Sequence, residues 1–332
     1  MNMSLFQKTA RVIARNTQIP NAQTAFGGTF GVAIDRSSVL EKVTLTLTAS
    51  ATFATAPTSA AVVAAGAKHL IVALSLRTSD GEIISAISGA QLSDFIDMLQ
   101  YQTTPVTVIG ANGGVSSVTY QVEVPFAMLD AHLDFHSALR GGGTSKLDLT
   151  VQIANQVRAL AMVFGGSATP TLINVSCDIE LNQYPEMAHD DRIAKSVQFL
   201  AAKQQAVGAG SGGTYTVQLD PDDATRIITI HTFDTTAGAD AGVLADTVIT
   251  NVKLVQGNKT LRDQSWGALR FAAQKIRQHS AVGFGLLDWG NDVASFALLS
   301  KEPIFLQLTI PATTPAARIE VLQNYIKPRA GA

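Results

Sequence analysis

Aliphatic and polar residues alternate along much of this chain with the period of a strand. In VTLTLTA, residues 43–49, aliphatic side chains take the odd positions and threonines most of the even ones, and Ile228-Thr229-Ile230 repeats the pattern far downstream. Successive strand residues point to opposite faces, so such segments predict sheets with one buried side. Leu147–Val151, Leu306–Ile310 and the run from Ile173 to Leu181 alternate in the same way. Two segments change period. Leu92, Phe95, Ile96 and Leu99 recur at three- and four-residue intervals, as do Leu269, Ala272, Ala273 and Ile276, which predicts one amphipathic helix in each half.

These elements come in one order, twice. FGGTFGVAID at 26–35 returns as SGGTYTVQLD at 211–220, with Gly27, Gly28, Thr29, Val32 and Asp35 matched by Gly212, Gly213, Thr214, Val217 and Asp220, an offset of 185. The same offset carries Val43-Thr44-Leu45 onto Ile228-Thr229-Ile230. Leu70–Leu76 followed by Ser79-Asp80-Gly81 then matches Val248–Leu254 followed by Gln256-Gly257-Asn258, each strand running into a glycine turn. Leu92 matches Leu269, and Leu147–Val151 matches Leu306–Ile310 at an offset of 159. Finally Cys177, Ile179 and Leu181 precede Asn182-Gln183-Tyr184 much as Ile319 and Val321 precede Gln323-Asn324-Tyr325.

Five blocks in a single order predict a duplicated domain. The falling offset places about seven extra first-half residues between positions 48 and 70 and about eighteen between 100 and 147, where VIGANGGVSS and the His132–Gly143 stretch lie. Surface loops are the expected home for them, since closure entropy grows slowly with length. A period near 180 excludes solenoids and propellers. The expected organisation is an N-terminal helix or arm over 1–25 and two antiparallel β-sandwiches, each with a short helix, over 26–185 and 186–332.

Length supports this division, because 332 residues exceed what one hydrophobic core usually serves. Charged residues make up 15% of the chain against a typical quarter, and apolar residues 46%, which suggests surface given over to contacts with other chains. A formal charge of −2 supplies no global reason to bind nucleic acid, and sequence-specific nucleic acid is not an expected partner. Cys177 is the sole cysteine, so no intrachain disulfide forms. No hydrophobic run has signal-peptide length, and the Ala-rich stretch from Ala60 to Leu76 is interrupted by Lys68 and His69, so a cytoplasmic site of synthesis is expected.

Several fragments imitate chemistry. Gly208–Gly213 fits the spacing of a dinucleotide loop but precedes a strand, and Gly141–Lys146 lacks the Walker order, so both read as turns. His132, Asp134 and His136 lack a third strong ligand for zinc. Neither Asp220-Pro221-Asp222-Asp223 nor His189-Asp190-Asp191 has the spacing of a calcium loop. No Ser, His and Asp set emerges; the expectation is a protein without catalytic residues, cofactor or metal. At the N-terminus, Leu5, Val12 and Ile13 share one side of a possible helix and Lys8, Arg11 and Arg15 another, a basic amphipathic element for acidic lipid headgroups or nucleic acid, or for packing on protein. Phe284, Trp266 and Trp289 are the aromatic candidates for a subunit interface, with core packing as the alternative for each.

Two tandem sandwiches with a helix apiece and few charges resemble the double jelly-roll major capsid proteins of tailless icosahedral viruses, with the inner-membrane phages of the corticovirus, tectivirus and finnlakevirus groups similar in size. The second half carries most of the resemblance, from SGGTYTVQLD through VITNVKLVQGNKTLRD to VGFGLLDWGNDVASFALLSKEPIFLQLTI. The resemblance implies an all-β chain of two upright jelly rolls, three copies of which form a pseudo-hexameric capsomer in an icosahedral virion shell assembled in a host cytoplasm. It implies as partners neighbouring copies, a penton or vertex protein and lipids of an inner membrane, with Met1–Arg15 facing inward and the longer first-half loops forming outer towers. The alternative is a tandem β-sandwich that binds glycans or a receptor, for which 6% aromatic residues offer few platforms.

Overall fold

The computed structural model describes residues 15–19, 26–34, 36, 39–53, 64–79, 81–100, 106–112, 115–126, 139–140, 145–163, 170–184, 196–220, 224–236, 242–279, 281–289, 302–312 and 314–328. Its chain divides into two compact units, Met1–Gln198 with Pro328–Ala332, and Phe199–Lys327.

In the first unit the strands are β1 (Arg15–Ile19), β2 (Thr29–Ala33), β3 (Val39–Phe53), β4 (Ile71–Thr78), β5 (Gly81–Ile87), β6 (Val106–Asn112), β7 (Val115–Pro125), β8 (Leu139–Arg140), β9 (Leu147–Ile153) and β10 (Pro170–Tyr184). Helices α1 (Gly89–Gln100) and α2 (Gln156–Met162) and a 3-10 segment at Ala64–Leu70 complete it. One sheet runs β1-β10-β3-β7-β6 with β8 paired to β3, and a second ladder runs β5-β4-β9-β2. Alternation decides the faces. Leu45 and Leu47 are buried, as are Val122 and Ile179 beside them and Leu74, Leu149 and Val151 on the second ladder.

The second unit holds β11 (Ser196–Val207, within the unit from Phe199 onward), β12 (Gly213–Gln218), β13 (Ala224–Asp234), β14 (Val243–Leu244), β15 (Asn251–Gln256), β16 (Lys259–Ser265), α3 (Trp266–Arg277), β17 (Phe284–Asp288), β18 (Ile304–Ile310) and β19 (Ala317–Pro328). Its ladders run β14-β13-β19-β11, with β17 on β13, and β12-β18-β15-β16. One core joins them, with Ile228, Ile230, Ile319 and Val321 packed with Val217, Leu254, Leu306 and Leu308.

The registers establish the duplication strand by strand. Leu45 lies opposite Ile179 and Val122, and Ile230, 185 positions on, lies opposite Val321 and Gly285. Gly28 closes a backbone hydrogen bond from Ile153, and Gly213 pairs with Ile310. Even an irregularity is repeated. The β10–β3 register skips Glu41, between the Asn182–Lys42 and Gln183–Leu40 pairs, and the β13–β19 register skips Arg226, again 185 positions on. A bulge places two residues opposite one and bends the strand, so its return at the same place marks a copied fold.

Helix termini are copied as well. Ser88 Oγ accepts from the Gln91 N–H at 3.2 Å while the Ser88 N–H donates to Gln91 Oε1 at 3.0 Å, a reciprocal capping box. Ser265 Oγ accepts from the Ala268 N–H at 3.3 Å at the head of α3, and α3 ends on Gln278 in the left-handed region at φ 53°.

Three sequence expectations change. The β9 and β18 strands correspond at an offset of 157 rather than 159: Leu149 faces Val32 and Leu76, and its counterpart Leu306 faces Val217 and Leu254. A two-residue slip leaves the inward and outward positions unchanged, so alternation alone could not expose it. The VIGANGGVSS insertion is a hairpin rather than a loop, its β6 and β7 paired from Val106 opposite Tyr120 to Asn112 opposite Val115. Its Val, Ile and Thr residues suit a pleated surface and lengthen an existing sheet. Of His132–Gly143, only Leu139 and Arg140 lie among the described residues, as β8 against the start of β3. Finally, Arg15 begins strand β1, opposite Gln183, instead of ending a helix. The β10 edge offers unsatisfied backbone groups along its length, and pairing with them outweighs the weak preference of a short helix. Lys8 and Arg11 lie outside the described residues.

Candidate assembly surfaces

Two of the aromatic candidates, Trp266 and Phe284, are buried. Trp266, the first residue of α3, is 4% exposed, and its ring covers Gly285 so closely that a Cβ there would stand 2.5 Å from the indole. Trp266 Nε1 donates to Asp246 Oδ1 at 3.4 Å, which also accepts from the Gly283 N–H at 2.8 Å. Phe284 is buried against the rings of His231 and His279. Trp266 belongs to the core cluster of the second unit, whereas Phe284 lies on the opposite face of the β13–β17 pair, beside His231. Trp289 is half-buried, with the Arg262 guanidinium 4.9 Å above its ring.

The matching helix start in the first unit carries a glycine instead. Gly89 stands where α3 has Trp266, and a Cβ on it would meet the Lys68 carbonyl at 2.3 Å. Tyr120, from β7, donates to the Gly89 carbonyl at 3.1 Å and is hydrogen-bonded to Ser93. Burial pushes the Tyr120 phenol's pKa well above its ordinary value, against the lowering effect of the Ser93 bond.

The helices differ on their outer sides too. In α1 the residues Leu92, Phe95, Ile96 and Leu99 are buried as the spacing predicts, and so is Asp94, which takes Lys68 of the 3-10 segment at 3.0 Å. In α3 Leu269 and Ala273 are buried, but Phe271, at the position of Asp94, is 63% exposed. Phe271 borders a depression of about 220 Å³ shared with Gln274, His279 and Ala281.

The outer sides of the sheets divide by chemistry. On the β5-β4-β9-β2 ladder, Arg77 pairs with Glu82 and Lys146 with Asp148. Hydrogen bonding from Ser85 first, then from Arg77, holds the Glu82 carboxyl below its ordinary pKa in spite of some burial. On the β1-β10-β3-β7-β6 sheet the outer face sets hydroxyls beside charges, with Asp178 opposite Thr46 and Glu180 opposite Thr44. Thr48 Oγ1 lies 3.2 Å from Thr119 Oγ1, Gln121 Nε2 donates to Thr46 Oγ1 at 3.3 Å, and Lys42 pairs with Glu123 at one end.

The remaining motif candidates fall elsewhere. Residues 127–138 and 185–195, with His132, Asp134, His136, His189, Asp190 and Asp191, lie outside the described residues. Asp220 is a turn residue bridged to Lys203 at 3.3 Å, its N–H donating to Gln323 Oε1 at 2.9 Å. Gly208–Gly213 links β11 to β12, and Gly212 is held against the backbone of Ala312, where a Cβ would be 2.6 Å away. Burial, aided by Asp178, pushes the Cys177 thiol's pKa up to about 12. A maleimide is therefore expected to leave the native protein unlabelled at pH 7 and to modify one thiol per chain in denaturant; rapid native labelling would contradict the buried placement.

Sequence reasoning missed the hydroxyl face and Phe271. The first was visible as the threonine half of an alternating pattern that drew attention only to its aliphatic half. The second lies off the Leu269 and Ala273 stripe of its helix, which was enough to mark it as exposed.

Two sandwiches of like registers, like bulges and like capped helices constitute a double jelly roll. Known proteins share it: an atomic structure of Sulfolobus Turreted Icosahedral Virus matches 94% of this chain and 90% of its own, with TM-score 0.67 and 14% identity. The major capsid protein P2 of bacteriophage PM2 matches 96% of this chain and 98% of its own (TM-score 0.58, 11% identity), and the Faustovirus major capsid protein 94% and 89% (TM-score 0.58, 7% identity). The sequence matches no protein-family profile and no curated protein sequence.

Proposed function

We propose that this chain is the major capsid protein of an icosahedral virus, with three copies forming a pseudo-hexameric capsomer. The observation that carries the reading is the internal duplication: a ring of three doubled units presents six similar edges, as a hexagonal lattice requires. Similarity to capsid proteins over nearly the whole chain supports it, and so does the scarcity of charge. The function is structural and cohesive, without catalysis. Interfaces within the trimer are large, and those between trimers are weaker and reversible.

In this reading the rolls span 26–185 and 186–332, and the arm 1–25 faces the particle interior. Lys8, Arg11 and Arg15 meet acidic lipid headgroups there, and a vertex protein closes the fivefold positions. Of the three aromatics, Trp289 alone retains surface for a neighbour. The protein's place is the virion, after assembly in a host cytoplasm.

Light scattering of the purified protein is expected to give three times the chain mass of 34.9 kDa, and electron microscopy threefold particles of hexagonal outline. A monomer at every concentration would overturn the reading.

A further inference from the structure

We propose that the hydroxyl-bearing outer face of the β1-β10-β3-β7-β6 sheet binds the outer face of the β12-β18-β15-β16 sheet on a second copy of this chain. The inference rests on the capsomer reading and names the surfaces that close its ring.

The repeat supplies the first argument. At the offset of 185, Thr44, Thr46 and Thr48 of β3 correspond to Thr229, His231 and Phe233 of β13. In the second unit those three are fully buried within the chain, with Leu286 and Leu322 of the flanking strands. In the first unit Thr44 is buried, but Thr46, Thr48 and Ser50 further along the strand are half-exposed. The same face of the same sheet is thus closed in one roll and open in the other.

Its chemistry supplies the second. Short hydroxyl side chains lose little rotamer freedom when covered.

The proposed partner face has matching character. Thr216 and Lys253 flank Gln307, and Thr214 and Asn251 flank Thr309. Its one charged pair across strands is Lys253 opposite Asp263. Asp178 and Glu180 on β10 lie on the first face, opposite Thr46 and Thr44, while Lys253 lies on the second, a complementarity of sign that orients the approach. A single self-complementary patch yields twofold dimers, whereas a ring of three needs two different patches that fit one another.

Area supplies the third. Strand spacings of about 4.8 Å and about 3.3 Å per residue give the five-stranded face roughly 700 Å², close to the roughly 800 Å² per partner of a stable interface.

The test uses the full chain with Thr48→Arg on the first face, Thr309→Arg on the second and Thr150→Arg on the charged ladder as control. The first two variants are each expected to fall to about one third of the wild-type mass with an unchanged melting temperature, and the control to remain trimeric. Mixed together, Thr48→Arg and Thr309→Arg form a dimer, because one copy keeps each intact face. As a second measurement, a Thr48→Cys and Thr309→Cys double variant treated with a flexible bis-maleimide gives covalent trimers, Cys177 being buried. A trimeric Thr48→Arg protein, or absent cross-links, overturns the surface assignment and leaves the capsomer reading standing. Loss of the trimer in Thr48→Arg with none in Thr309→Arg overturns the heterologous pairing. A wild-type monomer instead overturns the capsomer reading.

Discussion

Asp288→Ala is expected to destabilise the second unit by about 3–5 kcal/mol, the usual consequence of removing one partner of a buried ion pair. Arg277 closes helix α3 and Asp288 closes strand β17; Nε donates to Oδ2 at 2.7 Å, with side chains 3% and 0% exposed. The pair fastens the end of the helix to the strand beneath it. Without the carboxylate, the guanidinium's charge stays in a site closed to water. Against a total stability of about 5–15 kcal/mol, a loss of this size is read easily as a fall in urea midpoint. The paired replacement Arg277→Met with Asp288→Leu is expected to recover most of it, since apolar side chains of similar volume avoid both desolvation terms. An Asp288→Ala protein within about 1 kcal/mol of wild type would contradict the account, because single surface changes already reach about 0.5 kcal/mol.

Trp266→Ala is expected to cost about 3–5 kcal/mol through the cavity it leaves. The sharper measurement is its coupling to Gly285. Gly285→Ala alone is expected to destabilise, since its Cβ would press into the indole ring. In the Trp266→Ala background the same change is expected to become neutral or favourable, because the ring that opposed it is gone. Additivity of the two effects in a denaturation cycle would show that the ring and the glycine do not share the space.

The two copies differ here: at matching helix positions the first unit has Gly89, held against the Lys68 carbonyl, and the second has Trp266 over Gly285.

Much of this fold was legible in the chain. Alternation identified most of the strands, and the 3.6 period identified one helix in each half. Block order revealed the duplication. Legibility ended where period 2 is blind: the offset of β18 was off by two residues, since both registers bury the same face. The insertion around VIGANGGVSS was read as a loop because nothing local says whether a β-prone segment will find an edge to extend. Arg15 was read with a helix for a similar reason, its strand depending on β10 from the far end of the unit.

The candidate surface was less legible than the fold. Phe284 and Trp266 were natural suspects for an interface by residue type, and both are buried in the chain, because large aromatics serve a core and an interface alike. Thr46 and Thr48 drew no attention, since threonine on a strand's outer side is ordinary.

The sequence by itself determined most of the strands, the amphipathic helix of each half, which of their faces are apolar, and that the whole arrangement occurs twice. These are local and periodic properties, written within a few residues of where they act. Only the tertiary structure decided the pairing registers, the close packing of Trp266 on Gly285, and which of two equivalent sheet faces lies open. Those depend on what residues a hundred or more positions away place opposite them, and no local pattern encodes that.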